Sequence, residues 1–282
     1  MSVTGATAEV SPAVAPQGRR AGFGHVLLGE WTKIRSVRST VWSLVIYIVL
    51  TLGLSALLCW LTVHAVQTGR APRRGSELMT DPASFILGTG LAFGQLAIAV
   101  LGVLVMTSEY STGTIRASLL AVPRRLWVLV AKCAVFALLI FVVSEIVTFC
   151  SFFIGAAIVH PVTVVSLSQP NVTRAVIGTG LYLTVLGLFA LAIGALIRHT
   201  AGGIAVVIGV VLVVGPILGL LDSYDWGKHV HDWFPTVAGA YIVAVHQASD
   251  QVLSPWQGFA VFCGWTALLL IVGGYLLRRR DA

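Results

Sequence analysis

Six long apolar stretches dominate the chain: Val41–Val63, Ser84–Thr107, Cys133–Val159, Ala175–Ile197, Gly202–Leu221 and Trp256–Leu277. A bilayer core is crossed by about 20 residues of helix, the form in which every backbone N–H and C=O finds its partner within the segment. The pattern predicts an all-α polytopic membrane protein with six transmembrane helices. Composition removes the soluble alternative. Only 10% of the 282 residues are charged, whereas a soluble domain carries about 25% to make its polar skin. The first, third and fourth stretches are uninterrupted. Gly215 and Pro216 interrupt the fifth, which predicts a kink or break near its outer end.

The formal charge of +7 is spread thinly, and its cations sit at the ends of the apolar runs. That placement fits orientation in a bilayer and argues against a nucleic-acid partner. Counting Lys and Arg puts 13 on one side, in the N-terminal tail, the second and fourth loops and the C-terminus, and 5 on the other. Because cations are retained inside, both termini are expected in the cytoplasm of a cell-membrane protein. Trp42, Trp127 and Tyr275 mark the inner interface, with Trp60 and Trp256 at the outer one. Residues 1–21 lack the order of a cleavable signal, positive charge first and then an apolar block, and read as a disordered cytoplasmic tail. The remainder, 22–282, reads as one transmembrane domain.

Three segments are not spans. In 22–39, Phe23, Leu27, Trp31 and Ile34, flanked by Val26 and Val37, recur at three- and four-residue spacing, while Glu30, Lys33, Arg35 and Arg38 fall elsewhere on the wheel. This predicts an amphipathic helix lying in the headgroup layer, which is either a plain anchor for the first span or also a surface for a partner. In the second loop, Thr112 or Thr114 can cap a short helix with Ile115, Leu119 and Leu120 on its apolar side, ended by Pro123. Its Arg116, Arg124 and Arg125 either fix orientation alone or help a stiff rod to dock in a partner's groove. In the outer loop, residues 233–247 are apolar but too few to cross, which suits a re-entrant or interfacial segment between the fifth and sixth spans.

These motifs carry a resemblance. Glu-Trp-Thr-Lys-Ile-Arg-Ser-Val-Arg-Ser-Thr (30–40), Glu-Tyr-Ser-Thr-Gly-Thr-Ile-Arg (109–116) with Pro-Arg-Arg (123–125) and Lys132 after it, and Pro-Thr-Val-Ala-Gly (235–239) resemble the type-2 ATP-binding-cassette (ABC) exporter permeases of high-GC Gram-positive bacteria. The likeness runs from about residue 22 to the end. It implies a permease that dimerises or pairs with a second permease and is driven by cytoplasmic ATPase subunits. It further implies that 22–39 is the connecting helix, with Trp31, Lys33, Arg35 and Arg38 at the membrane interface. The second loop would be the coupling helix, where Glu109, Gly113, Thr114, Ile115 and Arg116 meet the ATPase. His229-Val-His231-Asp232 departs from the family pattern.

The chain's own residues agree with a separate motor. A phosphate-cradling loop needs Gly-x-x-x-x-Gly-Lys-Ser/Thr, and the only Gly-Lys here, Gly227-Lys228, is followed by His229. No cofactor on this chain is expected, and no nucleophile–base set marks it as an enzyme. Cys59, Cys133, Cys150 and Cys263 show no zinc or dithiol spacing; His229, His231 and Asp232 form a weak metal signature beside the reading as a polar outer rim. Gly90 and Gly94, one turn apart, allow close helix approach, within the fold or at a dimer seam. Glu145 lies near the middle of the third span, where an ionised side chain facing lipid costs roughly 3 kcal/mol or more. It either lines a substrate path or locks packing through Ser144, Thr148 or Thr184. The expected function is the membrane subunit of an exporter for an apolar or amphipathic substrate; the rival is a membrane scaffold or sensor that binds a partner without transport.

Overall fold

The computed structural model describes residues 22–70, 72–113, 125–247 and 251–279. The expected tail at 1–21 and most of the expected coupling helix, including Thr114, Ile115 and Arg116, lie outside these residues. The described residues are helical, with no strand among them. In chain order the elements are α1 (Phe23–Ser36), α2 (Arg38–Gln67), α3 (Pro72–Thr80), α4 (Pro82–Ser111), α5 (Arg125–Val159), α6 (Val172–Ile197), α7 (Thr200–Gly219), α8 (Asp225–Asp232), α9 (Pro235–Ala240) and α10 (Pro255–Arg279). Helices α2, α4, α5, α6, α7 and α10 are long and apolar enough to cross a membrane. All six begin one to eight residues before the sequence-predicted spans, because a helix need not stop where the hydrocarbon stops; the fifth ends at Gly219, two residues short of the expected Leu221.

Local chemistry sets the boundaries. Val37, in extended conformation, separates α1 from α2. Asp81 caps α4 by accepting the Ser84 N–H at 3.0 Å, with Pro82 pre-set at the first helical position. Between α6 and α7, Arg198 adopts a left-handed conformation (φ 58°), and His199 Nδ1 then accepts from Gly202 N to start the next helix. The expected irregularity of the fifth span takes a definite form: a π-helical turn over Gly209–Val214, immediately before Gly215-Pro216. Pro216 has no N–H to give the preceding turn, and the wider turn accommodates that break.

Helix α6 is the pillar, with 72% of its apolar window buried, against 22% for α2 and 17% for α7. Small residues let its neighbours approach. A Cβ on Gly102 of α4 would fall 2.4 Å from the Gly187 carbonyl oxygen of α6, and one on Gly194 of α6 only 3.1 Å from the Val103 oxygen. Gly90 and Gly94 face Thr51, Ser55 and Tyr47 of α2 and Ser151 of α5, so they serve packing inside the chain. Near the start of α10, α9 packs on it, where a Cβ on Gly239 would overlap the Phe262 ring and one on Gly258 the Ala238 oxygen. Arg174 of α6 donates to the carbonyls of Ile242, Ala244 and Val245. His246 Nδ1 lies 2.8 Å from Asp81 Oδ2, and Val245 N donates to Ser84 Oγ. The segment after the fifth span is thereby tied to α4 and α6.

Candidate functional site

Four charged side chains meet where α1 packs against α4 and α5. Lys132, in the second turn of α5, places Nζ 2.6 Å from Glu30 Oε2 and 2.7 Å from Glu109 Oε1. Lys33 Nζ lies 2.6 Å from Glu30 Oε1 and 3.4 Å from Glu109 Oε1. Two acids and two lysines give a neutral quartet contributed by α1, α4 and α5. Glu30, Glu109 and Lys132 are buried, while the Lys33 side chain keeps 36% of its surface. Burial pulls the Lys33 ammonium down, but the hydrogen bond to Glu30 and the charges of Glu109 and Glu30 outweigh it and hold the group above the ordinary lysine value.

The quartet joins the two helices that precede and follow residues 114–124 in sequence. Glu109 stands on the leg entering that segment and Lys132 on the leg leaving it, so their 2.7 Å contact clamps the two legs. Three further contacts fix the entering leg. Arg198 stacks over the Tyr110 ring at 5.1 Å, Thr200 Oγ1 donates to Thr107 Oγ1 at 3.0 Å, and Thr112 Oγ1 donates to Ser108 O at 2.8 Å. Gly113 turns the chain out of the helix with φ +70°, a conformation that favours glycine. On the leaving leg, the Phe23 and Trp127 rings meet edge to face at 5.6 Å, and Val26 packs with Val128 and Ala131.

The residues singled out from the sequence divide accordingly. Glu109 and Lys33 come together, Glu109 turned inward to the lysines and not outward. Trp31, Arg35 and Arg38 are exposed. The buried face of α1 is Val26, Glu30 and Ile34, so Glu30 lies on the packed stripe although the wheel placed it with the polar residues. Its partner Lys132 enters the sequence reading only as the cation that follows the second-loop motif. The signal available was charge balance: Glu30 and Glu109 are acids placed among the cations of the retained side, and an acid four residues from both Val26 and Ile34 shares their face.

The remaining candidates disperse. His229 Nδ1 bonds its own helix at Asp225 O, His231 pairs with Asp222 at 3.0 Å, and Asp232 accepts from Tyr241 Oη and Val252 N. Each has a different partner, and no group suited to a metal occurs among the described residues. Gly227 of the lone Gly-Lys lies within α8, where a Cβ would overlap Leu221 O; its role is close packing. Glu145 does not bond the hydroxyls expected for it. Ser144 and Thr184 both donate to Gly180 O, and both Glu145 oxygens are buried without a hydrogen-bond partner. The four cysteines are free. No protein-family model matches the chain, and no curated protein is significantly similar to it.

Proposed function

We propose that this chain is the membrane-spanning subunit of an ABC exporter, located in the cell membrane with both termini in the cytoplasm and powered by a separate ATPase. The supporting observation is the Glu30–Lys33–Glu109–Lys132 quartet. A force applied to residues 114–124 reaches two spans and the pre-span helix together, because the two legs and α1 are joined by buried charge contacts. A partner that grips Thr114, Ile115 and Arg116 therefore moves α4 and α5 as a unit. On this reading Glu109 and Gly113 shape the docking segment from beneath. Trp31, Arg35 and Arg38 hold α1 in the headgroup layer; α8, α9 and the turns after them form the re-entrant cap on the outer side. The weakly buried faces of α2 and α7 are available for a second permease copy and for lipid, with an apolar or amphipathic substrate moving between the paired subunits.

The test is co-purification from the native host followed by reconstitution into vesicles. The chain alone should neither hydrolyse ATP nor transport. With its ATPase it should do both, and Ile115→Ala with Arg116→Ala should weaken the association. Pumping without a companion overturns the reading. Association through the same loop with no transport-linked ATP hydrolysis supports the scaffold role.

A further inference from the structure

Halfway along the bundle, five side-chain oxygens are buried with no hydrogen-bond partner in the protein: both of Glu145, the Tyr47 phenol, and the hydroxyls of Thr51 and Ser151. Tyr47, Thr51 and Ser151 are 0%, 4% and 4% exposed. Buried polar atoms are nearly always satisfied, by protein or by water, so such a group asks for a ligand. Two glycines on one face of α4 make the room. A Cβ on Gly94 would stand 2.6 Å from Thr51 Oγ1 and 3.0 Å from the Tyr47 ring; one on Gly90 would stand 3.0 Å from Ser151 Oγ. A cavity of about 10 Å³ lies there, lined by Thr51, Gly90, Thr148, Ser151 and Thr179 among others. That is about the least room that admits one water. Thr148, which lines the cavity, adjoins the Tyr47 phenol, and Tyr47 in turn feels the Glu145 carboxyl.

Among the described residues no cation pairs with Glu145. Arg38 and His64 lie at the ends of α2, Arg174 at the end of α6, Arg278 and Arg279 at the end of α10, and α4 has neither Lys, Arg nor His. On α5 itself Lys132 is 13 residues away, about 20 Å along the helix, and engaged by Glu30 and Glu109. On α1, Lys33 belongs to the same quartet. The titratable neighbour is the Tyr47 phenol. A carboxylate in apolar surroundings without a countercharge takes up a proton instead of remaining ionised.

We propose that α2, α4, α5 and α6 enclose a proton-binding site, with Glu145 as acceptor and one water in the cavity held by Thr51 and Ser151. Uptake forms one O–H bond on a Glu145 oxygen and breaks one in the hydronium that delivers the proton; nothing is oxidised or reduced. The bound proton lets Glu145 lie against Gly180, and its release leaves an uncompensated charge at the centre of the bundle. The site therefore ties the packing of these helices to the proton activity of the compartment that reaches it. It stands whether or not the chain is an exporter.

The experiment is infrared spectroscopy of the full chain in lipid nanodiscs, titrated from mildly acidic to alkaline pH. Wild type should show a protonated-carboxyl carbonyl band at mildly acidic pH that disappears as pH rises and is absent in Glu145→Gln. Tyr47→Phe and Ser151→Ala should shift the band without abolishing it. If Glu145→Gln fails to fold, Glu145→Asp keeps an acid and the band must move. No such band in wild type, or its persistence in Glu145→Gln, overturns the proposal. So does a sodium-dependent, pH-independent spectral change that requires Glu145, which would make this a metal-cation site.

Discussion

The quartet and the Glu145 pocket both bury carboxylates, and they solve the cost of doing so in opposite ways. Where α1 meets α4 and α5, Glu30 and Glu109 have two lysines within 3.4 Å, so charge is matched and geometry fixed. At mid-span, Glu145 has Gly180 on one side and unpartnered hydroxyls nearby. A matched quartet holds one arrangement of three helices. An unmatched acid can change its charge. The first suits a rigid transmission element and the second a responsive one, although both lie on α5.

The sharpest way to break the comparison is to unbalance the quartet. Lys132→Met removes the ammonium that both acids share and leaves a net negative charge buried, which should destabilise the chain by about 3–5 kcal/mol. Glu30→Gln together with Lys33→Gln removes a matched pair and should cost clearly less than the single Lys132 change. Reversible unfolding of the three proteins in mixed micelles gives both values. Equal losses would mean that the quartet is a set of incidental contacts and not a coupled unit. Glu145→Gln removes no partner of any cation, and its cost should be smaller than that of Lys132→Met in the same assay.

A second experiment sharpens the pocket side. Gly94→Ala puts a methyl 2.6 Å from Thr51 Oγ1 and 3.0 Å from the Tyr47 ring, so α2 must shift or Thr51 must rotate. Overpacking of this kind costs about 1–3 kcal/mol. Gly53→Ala is the control, because a Cβ there meets nothing within 4 Å; it should be neutral or slightly stabilising through helix propensity. A Gly94→Ala protein as stable as the control would mean that the glycines of α4 are not what opens the pocket.

Much of this architecture was legible in the sequence, and the reason is physical. A membrane span has to be long, apolar and helical, so its existence is written in local composition; Pro216 likewise announced the irregular fifth span. The quartet was only half legible. All four residues stand in the quoted motifs, but Glu30 falls on the polar side of a helical wheel, since a wheel records spacing and not which neighbour arrives. That Lys132 would meet Glu30, 102 residues away in sequence, depends on how α1 lies against α5, a tertiary fact. Glu145 shows the complementary gap. Its burial followed from its position, yet its lack of partners did not, because Ser144 and Thr184 donate to a backbone oxygen instead.

The smallest expected effect concerns a fourth acid, at the end opposite the quartet. Asp81 is partly solvated and shared between the α4 cap and His246, whose side chain is 74% exposed. Burial raises the Asp81 carboxyl, but the hydrogen bonds from Ser84 and His246 outweigh that and hold it below the usual carboxylate range. A depressed acid contributes stability that is complete above its unfolded value, about 3.9, and is lost as pH falls through the lower folded value. Hence no change assigned to Asp81 is expected near neutrality, and acidification should loosen the 241–247 segment from α4. Because the pair is exposed, His246→Ala should cost no more than about 1 kcal/mol at neutral pH; Asp81→Asn keeps a capping oxygen but removes the charge. Hydrogen exchange at Val245, whose N–H is bonded to Ser84, reads the attachment directly. Protection that is unchanged in both variants and down to strongly acidic pH would show that Arg174, through its three carbonyl contacts, holds the segment without help from the acid.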